Sequence, residues 1–277
     1  MIKVITGVRR CGKSSLMKTI AEEIVENGVS TKNIIFIDLR KRGFRSIKTP
    51  DTLEAKIDEL STAEGIKYLF IDEIQNVKGF EEILEEYRLE EEYSIFITGS
   101  NSYLLSGEIA TILTGRYIEF EMFTLTFEEY LNMKEFYKIK TDPDLTKELN
   151  NYIFEGGFPK ALEYTGLQNK RAYVNSVIQE IYEKDIKKRT KINNKEAFLK
   201  VMNYIINNFG ATTSITNLLN SLMNVGITIK RETLVRYIQI LMDAKILYEC
   251  KRFDMKSKKS INGEQKYYLA DLSFYFM

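Results

Sequence analysis

A glycine-rich stretch near the start of the chain, Gly7 to Ser14 (GVRRCGKS), constrains the fold more than any other feature of the sequence. It matches the pattern G-x-x-x-x-G-K-[ST], the phosphate-binding P-loop. The apolar residues Ile2, Val4 and Ile5 before it indicate a short buried strand, and apolar residues recur at helical spacing after it. Strand, glycine loop and helix therefore follow in the order that the motif needs. A chance glycine turn that contains a lysine is the alternative.

This stretch has the chemistry to bind a triphosphate. Glycines let the backbone turn sharply and present N–H groups to phosphate, and the N-terminus of the following helix adds a partial positive charge. We expect Lys13 to reach the β- and γ-phosphates of ATP and the Ser14 hydroxyl to ligate Mg²⁺. The predicted nucleotide-binding residues here are Gly7, Val8, Arg9, Arg10, Cys11, Gly12, Lys13, Ser14 and Ser15.

A second motif follows further along the chain, in the stretch Lys67 to Gln75 (KYLFIDEIQ). An apolar strand that runs directly into two acids is the pattern of a Walker B strand. Asp72 at the end of the strand would hold Mg²⁺, and Glu73 would polarise the water that attacks the γ-phosphate. A strand followed by an acidic surface turn is the alternative, but the P-loop upstream favours the Walker B interpretation.

Polar residues beside two further predicted strands are candidates for catalytic roles. The strand Tyr93–Thr98 is followed by Ser100 and Asn101, and one of these would sense the γ-phosphate or simply cap the next helix. Arg116 precedes a fifth strand, where it would act as an arginine finger on a neighbouring subunit or lie in a surface turn. The predicted catalytic residues are Lys13, Glu73, Ser100, Asn101 and Arg116.

The composition excludes several classes of chemistry. The 277 residues include no histidine and two cysteines, Cys11 and Cys250. Ser-His-Asp and Cys-His catalysis in their usual forms, His-liganded metal sites and structural zinc sites are therefore excluded. No apolar run is long enough for a membrane span, and the N-terminus lacks a signal-peptide pattern. We expect a cytoplasmic protein with no membrane partner.

Residues 195–277 indicate a separate small domain that is more basic than the rest of the chain. They hold 12 Lys and Arg against 7 Asp and Glu, whereas residues 1–194 hold 28 against 32. Their predicted order of helix, helix, turn, helix and hairpin is that of a winged helix-turn-helix, so duplex DNA is a candidate partner. Packing or oligomerisation is the alternative role. The candidate DNA contacts are Lys230, Arg231 and Arg236 on the recognition helix and Lys256, Lys258 and Lys259 on the wing.

Taken together, these motifs resemble those of the prokaryotic AAA-type ATPases of the extended AAA+/STAND branch. The resemblance is carried by GVRRCGKS (7–14), LFIDEIQ (69–75), ITGSNS (97–102), LTGR (113–116) and EGGFPKAL (155–162). The last segment is similar to the G-x-P signature at which the helical lid meets the nucleotide. The resemblance therefore implies that Gly157 and Pro159 shape the lid near the adenine.

The resemblance also implies a fold class. A three-layer α/β P-loop domain would carry five parallel strands in the order 5-1-4-3-2, with the nucleotide at their carboxyl ends. The strand between the P-loop and Walker B strands, and Glu73 beside Asp72, favour this order. We expect a P-loop ATPase core (1–125), a helical lid region (126–194) and a winged helix-turn-helix domain (195–277).

Two features that are common in this group are not found in the sequence: a helix ahead of the first strand and a restriction-endonuclease-like domain after the winged helix. We therefore expect no nuclease activity from this polypeptide. The leading hypothesis is a Mg²⁺-dependent ATPase that binds ATP and ADP and acts as a nucleotide-driven switch. GTP is disfavoured because no N-K-x-D motif is present. The alternatives are a nucleic-acid-binding regulator with slow or no turnover and a STAND-like scaffold that forms homo-oligomers.

Overall fold

The computed structural model describes residues 1–99, 113–187, 192–255 and 259–276. The described chain forms two compact units. The first comprises Met1–Gly7 and Gly12–Met122, and the second comprises Val8–Cys11 and Phe123–Met277. The predicted residues Ser100, Asn101, Lys256 and Lys258 lie outside the described residues.

The first unit is built on a parallel sheet of five strands. Their spatial order, β2-β3-β4-β1-β5, is the predicted order 5-1-4-3-2 taken from the other edge, so this prediction is confirmed. Every neighbouring pair runs parallel, which places the carboxyl ends of all five strands at the same edge. The strands are β1 (Ile2–Gly7), β2 (Ile34–Asp38), β3 (Lys67–Asp72), β4 (Tyr93–Thr98) and β5 (Tyr117–Met122).

Helices cover both faces of this sheet because side chains alternate along each strand. On β3, Leu69 and Ile71 belong to the core that also contains residues of α2 (Pro50–Leu60) and α3 (Phe80–Leu89). Phe70 between them points to the opposite face, where it packs with residues of α1 (Lys13–Glu26). The three layers predicted from the sequence are thus present.

The starts of these helices follow from local sequence. Thr49 caps α2 in a reciprocal capping box with Thr52, and Pro50 occupies the first turn. Helix α3 is absent from the sequence-based prediction. The signal for it is the spacing of its buried residues, Phe80, Ile83, Leu84 and Tyr87.

The second unit begins with helices that precede the predicted winged-helix region. Its first three are α4 (Phe127–Phe136), α5 (Leu145–Glu155) and α6 (Leu167–Glu180), and a short 3₁₀ segment, Pro159–Glu163, lies between the last two. Helix α6 continues directly into a π-helical turn, Ile181–Ile186. In the described part of the chain, no helix has both the length and the apolar character required to cross a membrane.

The remainder of the second unit has the element order expected of a winged helix-turn-helix, although that assignment stays a prediction. Three helices, α7 (Lys195–Asn207), α8 (Ile215–Asn224) and α9 (Arg231–Asp243), lead into an antiparallel hairpin. Its strands are β6 (Leu247–Asp254) and β7 (Lys259–Leu269). Pairing continues past an irregularity at Lys251 and Arg252, which the apolar pattern does not reveal.

A buried carboxylate holds the C-terminal segment of the second unit against its helical part. Asp271 accepts hydrogen bonds from the backbone N–H groups of Gly157 (2.8 Å) and Ser273 (2.9 Å). Burial raises the pKa of Asp271, and the hydrogen bonds that it accepts oppose this increase. In addition, the ring of Phe274 lies 5.5 Å from that of Phe158. These contacts join residues on both sides of the predicted domain boundary at 194, and the three-part division stays a prediction.

Gly156 provides a test of this packing. Its φ of +78° disfavours any side chain, and a Cβ atom there would lie 2.0 Å from Asp271 Oδ1. Gly166 has nearly the same φ, +77°, but a Cβ atom there would meet nothing within 4 Å. Gly166→Ala should therefore cost only backbone strain, roughly 2 kcal/mol, whereas Gly156→Ala should cost roughly 4 kcal/mol. Urea unfolding of both variants measures the difference. Equal losses would show that Asp271 and Ser273 move aside without penalty.

Candidate functional site

Polar side chains of the first unit converge at the carboxyl edge of the sheet. The register sets Asp38 at the end of β2 level with Asp72 at the end of β3. Ile71 is level with Ile97, so the next residue of β4, Thr98, neighbours Asp72. The P-loop begins at this same edge, because β1 ends at Gly7. The structure thus brings together both Walker segments, as their positions at strand ends predict.

Asp72 is almost completely buried, with 1% of its surface exposed. Its Oδ1 accepts a hydrogen bond from the hydroxyl of Thr98, and that hydroxyl accepts one from the backbone N–H of Glu73 (3.2 Å). The Thr98 hydroxyl therefore fixes both acids of the Walker B segment. Sequence reasoning did not select Thr98 as a site residue. The available signal was a hydroxyl at the end of a strand, next to the strand that ends in Asp72.

Glu73 adopts a left-handed backbone conformation with φ of 63°, which is uncommon for a residue other than glycine. Backbone strain of this kind is concentrated at functional sites, where the surrounding structure maintains it. The side-chain amide of Gln75 donates to Glu73 Oε2 at 2.5 Å. Both the backbone and the side chain of Glu73 are thus held in one orientation at the end of β3.

Arg40 connects the two Walker segments through its guanidinium group, and sequence reasoning missed it. Its Nη2 donates to the Ser14 hydroxyl at 3.0 Å and to Asp72 Oδ2. Its Nε and its backbone N–H both donate to Asp38 Oδ1 at 3.0 Å. One cation thus contacts both residues that the sequence assigns to Mg²⁺, Ser14 and Asp72. The signal in the sequence was a basic residue two positions after the end of β2, the strand that lies beside β3.

The pKa directions agree with this network. Burial disfavours ionisation of Asp38, but its hydrogen bonds with Arg40 and the positive charges of Arg40 and Lys41 outweigh burial, so the pKa of Asp38 is lowered. Burial would lower the pKa of Arg40, but the Asp38 hydrogen bond and the charges of Asp72, Asp38 and Glu73 outweigh it, so the pKa is raised. Both groups are therefore held in their charged forms.

The residues that open α1 complete the site of the first unit. Gly12 has φ of +115°, which favours glycine, and a Cβ atom there would come within 3.1 Å of Met122 Cε. Lys13 begins α1 and its Nζ donates to the carbonyl oxygen of Gly7 at 2.8 Å. Ser14 is half-buried and Ser15 is exposed. The start of α1 therefore lies at the edge where Asp72 and Arg40 meet.

The variable positions of the P-loop belong to the second unit. Arg9 makes a two-pronged ion pair with Asp185, with Nε–Oδ2 at 2.7 Å and Nη2–Oδ1 at 2.6 Å. Arg10 donates to Glu180 at 2.9 Å. Val8 and Cys11 are buried. The guanidinium groups of both arginines are engaged with carboxylates in this structure, so the expected phosphate contacts of these positions would come from their backbone N–H groups.

Several predicted residues lie away from this edge or have a packing explanation. The carbonyl of Arg116 accepts from Ile2 at the start of β1, roughly 16 Å along the strand from Gly7. The Arg116 guanidinium pairs with Glu85 at 3.0 Å.

A Cβ atom on Gly157 would lie 2.3 Å from the carbonyl oxygen of Leu125, which accounts for glycine there by packing alone. The trans role of Arg116 and the adenine-side role of Gly157 and Pro159 stay predictions.

Three of the candidate nucleic-acid residues are exposed at α9. Lys230 occupies the position just before this helix, and Arg231 and Arg236 lie on its exposed face. Arg231 also donates to the Thr216 hydroxyl at 3.1 Å. Lys259 begins β7. These positions fit a basic surface along α9, and DNA contact stays a prediction.

Comparison with family models divides the chain at about the point where the sheet unit ends. Residues 1–131 match the family described as AAA domain. Residues 146–276 match the family described as domain of unknown function (DUF8612).

Relatives of similar sequence come from bacteria and archaea. An uncharacterized protein of Haemophilus influenzae is 29% identical over 272 residues, which are 98% of this chain and 67% of that protein. The uncharacterized protein MJ1544 of Methanocaldococcus jannaschii is 31% identical over 93% of this chain and 58% of its own length. This chain therefore spans about two thirds or less of these relatives.

A solved structure shares the fold across nearly the whole chain. The Walker-type ATPase PABY2304 of Pyrococcus abyssi superposes with a TM-score of 0.65 over 99% of this chain and 90% of that one. The sequence identity is 14%, so the likeness establishes the fold alone.

The role of Thr98 predicts a specific stability difference. Thr98→Val removes the hydroxyl that satisfies both Asp72 and the Glu73 N–H, and it should cost about 2 to 3 kcal/mol because both partners are inside the protein. Thr6→Val is the matched control. Thr6 is also buried on a strand of the same sheet, but its hydroxyl donates to the exposed Glu119, so we expect a loss of about 1 kcal/mol or less. Urea unfolding at one pH compares them. A Thr98→Val loss no larger than that of Thr6→Val would contradict this role.

Proposed function

Because residues 1–131 match the family described as AAA domain, we propose that this chain is a Mg²⁺-dependent ATPase that acts as a nucleotide-driven switch. The observation that carries the proposal is the convergence of the Ser14 hydroxyl and the Asp72 carboxylate on one cationic group, the guanidinium of Arg40. Two hard oxygen ligands that already share a positive partner are a suitable donor set for a divalent ion.

The donor set fits magnesium by its chemistry. Mg²⁺ prefers oxygen ligands and is usually held by one or two protein groups together with substrate phosphates and waters. Ser14 and Asp72 are the two protein groups in this proposal. A bound Mg²⁺ would neutralise charge on the phosphates of ATP.

The remaining roles are assigned to residues at the same edge. Lys13 and the backbone N–H groups at the start of α1 bind the β- and γ-phosphates. The Glu73 carboxylate, oriented by Gln75, accepts a proton from the attacking water. A polar residue after β4, Asn101 or Ser100, senses the γ-phosphate in this proposal, although both lie outside the described residues.

Two variants separate binding from turnover. Lys13→Ala should weaken ATP binding about 10- to 100-fold because it removes a charge-assisted phosphate contact. Glu73→Gln should still bind ATP but should hydrolyse it about 100-fold more slowly or worse, because the amide cannot take a proton. Fluorescent-nucleotide titration and phosphate release measure the two effects. Lys18→Ala, on the exposed side of α1, is the control. Wild-type hydrolysis by Glu73→Gln would assign water activation to another residue.

Duplex DNA binding is the second candidate function, and the exposed basic positions at the start of α9 favour it. In this alternative the nucleotide site regulates a nucleic-acid-binding protein and turns over slowly or not at all. Phosphate contacts from Lys230, Arg231 and Arg236 would give binding that weakens steeply with salt.

Charge reversal tests this alternative. The double variant Lys230→Glu with Arg231→Glu should lower duplex affinity at least about tenfold and flatten the dependence of the affinity on salt. The control is Lys195→Glu with Lys200→Glu, which makes the same charge change on α7. Fluorescence anisotropy at several salt concentrations measures both. Equal effects of the two double variants would remove α9 as the contact surface.

A homo-oligomeric STAND-like scaffold remains a third reading. In it, ATP drives assembly and Arg116 acts on the nucleotide of a neighbouring copy. Arg116 lies beside the start of β1, far from Gly7 at its end, and this favours a role in trans over one in the same subunit. Light scattering with and without ATP distinguishes an assembly from a monomer.

A further inference from the structure

Arg40 occupies a position that the proposed function reserves for a metal ion. Its Nη2 contacts Ser14 Oγ at 3.0 Å and Asp72 Oδ2, the two oxygens assigned to Mg²⁺. Its Nη1 lies 3.8 Å from Glu73 Oε1, the carboxylate assigned to the attacking water. A guanidinium and a divalent ion cannot both contact these oxygens, because each would take the same lone pairs and their positive charges repel.

The acids are fixed, whereas the arginine is accessible. The side chains of Asp38 and Asp72 are 9% and 2% exposed, and that of Arg40 is 48% exposed. Removing either carboxylate from its partner without a replacement cation would leave a buried charge uncompensated. Of the groups in this network, Arg40 is therefore the one that can move into solvent, and only when another cation takes over its contacts.

Asp38 provides a tether for such a movement. It accepts from the backbone N–H and the Nε of Arg40, both at 3.0 Å, and its Oδ2 also accepts from Nη2 at 3.2 Å. When Nη2 leaves Asp38, Ser14 and Asp72, the bonds from the backbone N–H and Nε keep Arg40 at the carboxyl edge of β2. From there a guanidinium suits a phosphate oxygen, which it can bind with paired donors.

We propose that Arg40 is a resident cation of the Walker site: its guanidinium holds Ser14 and Asp72 when no divalent ion is bound, and it exchanges with Mg²⁺ when nucleotide enters, to bind the terminal phosphate. The inference rests on the proposed nucleotide site. It adds that Mg²⁺ binding and Arg40 displacement are one coupled equilibrium. The preference of the site for Mg²⁺-bound over metal-free nucleotide is therefore weaker than it would be without Arg40.

The first test uses a divalent ion without nucleotide. Wild-type protein should not bind Mn²⁺ at millimolar concentration, because Arg40 blocks the two oxygens. Arg40→Ala should have a lower melting temperature, bind one Mn²⁺ with a Kd on the order of 0.1–1 mM, and regain melting temperature as Mn²⁺ is added. Electron paramagnetic resonance of free Mn²⁺ and thermal unfolding are the measurements. Arg42→Ala, an exposed arginine two residues along, should behave as wild type in both.

Arg40→Lys keeps the test usable where the alanine variant does not fold. Lysine retains the charge but lacks the fork that reaches Asp38, Ser14 and Asp72 together, so this variant should fold and bind Mn²⁺ more weakly than the alanine variant but more tightly than wild type. The resident-cation proposal is overturned if neither Arg40 variant binds Mn²⁺, or if wild-type protein binds Mn²⁺ as tightly as the variants do.

The second test separates this proposal from the ATPase proposal. For ATP binding, the ratio of Kd in EDTA to Kd in Mg²⁺ should rise about tenfold in Arg40→Ala, since metal-free ATP then meets an Asp72 carboxylate that no cation compensates, whereas Mg²⁺ compensates it without having to displace a guanidinium. An unchanged ratio, with nucleotide bound by both proteins, would overturn the role of Arg40 alone. A new Mn²⁺ site in Arg40→Ala, with no ATP bound by either protein, would support the resident cation and reject the nucleotide site.

Discussion

A carboxylate that is nearly sealed from solvent, that of Asp72, sets the main physical constraint on this structure. A buried carboxylate is strongly unfavourable unless hydrogen bonds and a positive partner compensate it. Thr98 meets one of its oxygens and Arg40 meets the other. Because Thr98 ends β4 and Arg40 follows β2, and these strands lie on either side of β3, compensation requires all three strands to keep their register. The architecture of the sheet and the chemistry of its carboxyl edge are therefore maintained by the same contacts.

A similar pairing of arginines with acids occurs in both units. In the first unit Arg40 is held by Asp38, and in the second unit Arg9 and Arg10 of the P-loop are held by Asp185 and Glu180. Such pairs fix the direction of long, flexible side chains that would otherwise sample many rotamers. In each unit, the direction of these arginine side chains is therefore set by acids of the same unit.

Much of the fold and half of the candidate site could be predicted from the chain. Gly7, Gly12, Lys13 and Ser14 are recognisable because their spacing is dictated by local backbone geometry, and a continuous apolar run marks the strand that ends in Asp72. Arg40 could not be selected in the same way, because no local pattern shows which groups the side chain of a basic residue after β2 reaches. Nor does the spacing of apolar residues distinguish the Thr98 hydroxyl, at the end of β4, from that of an ordinary strand residue.

The sequence by itself determined the P-loop and the Walker B strand, because each depends on the pattern within a short segment, and the resemblance of its motifs to those of AAA-type ATPases implied the order of the five strands. Tertiary structure alone decided which side chains meet at the carboxyl edge. It set Asp38 level with Asp72 and brought the Arg40 guanidinium within hydrogen-bond distance of the Ser14 hydroxyl. It also placed Arg116 beside the start of β1, at the end of that strand opposite the P-loop. The physical reason is that strand register and side-chain direction are fixed by packing between distant segments, and no local pattern encodes them.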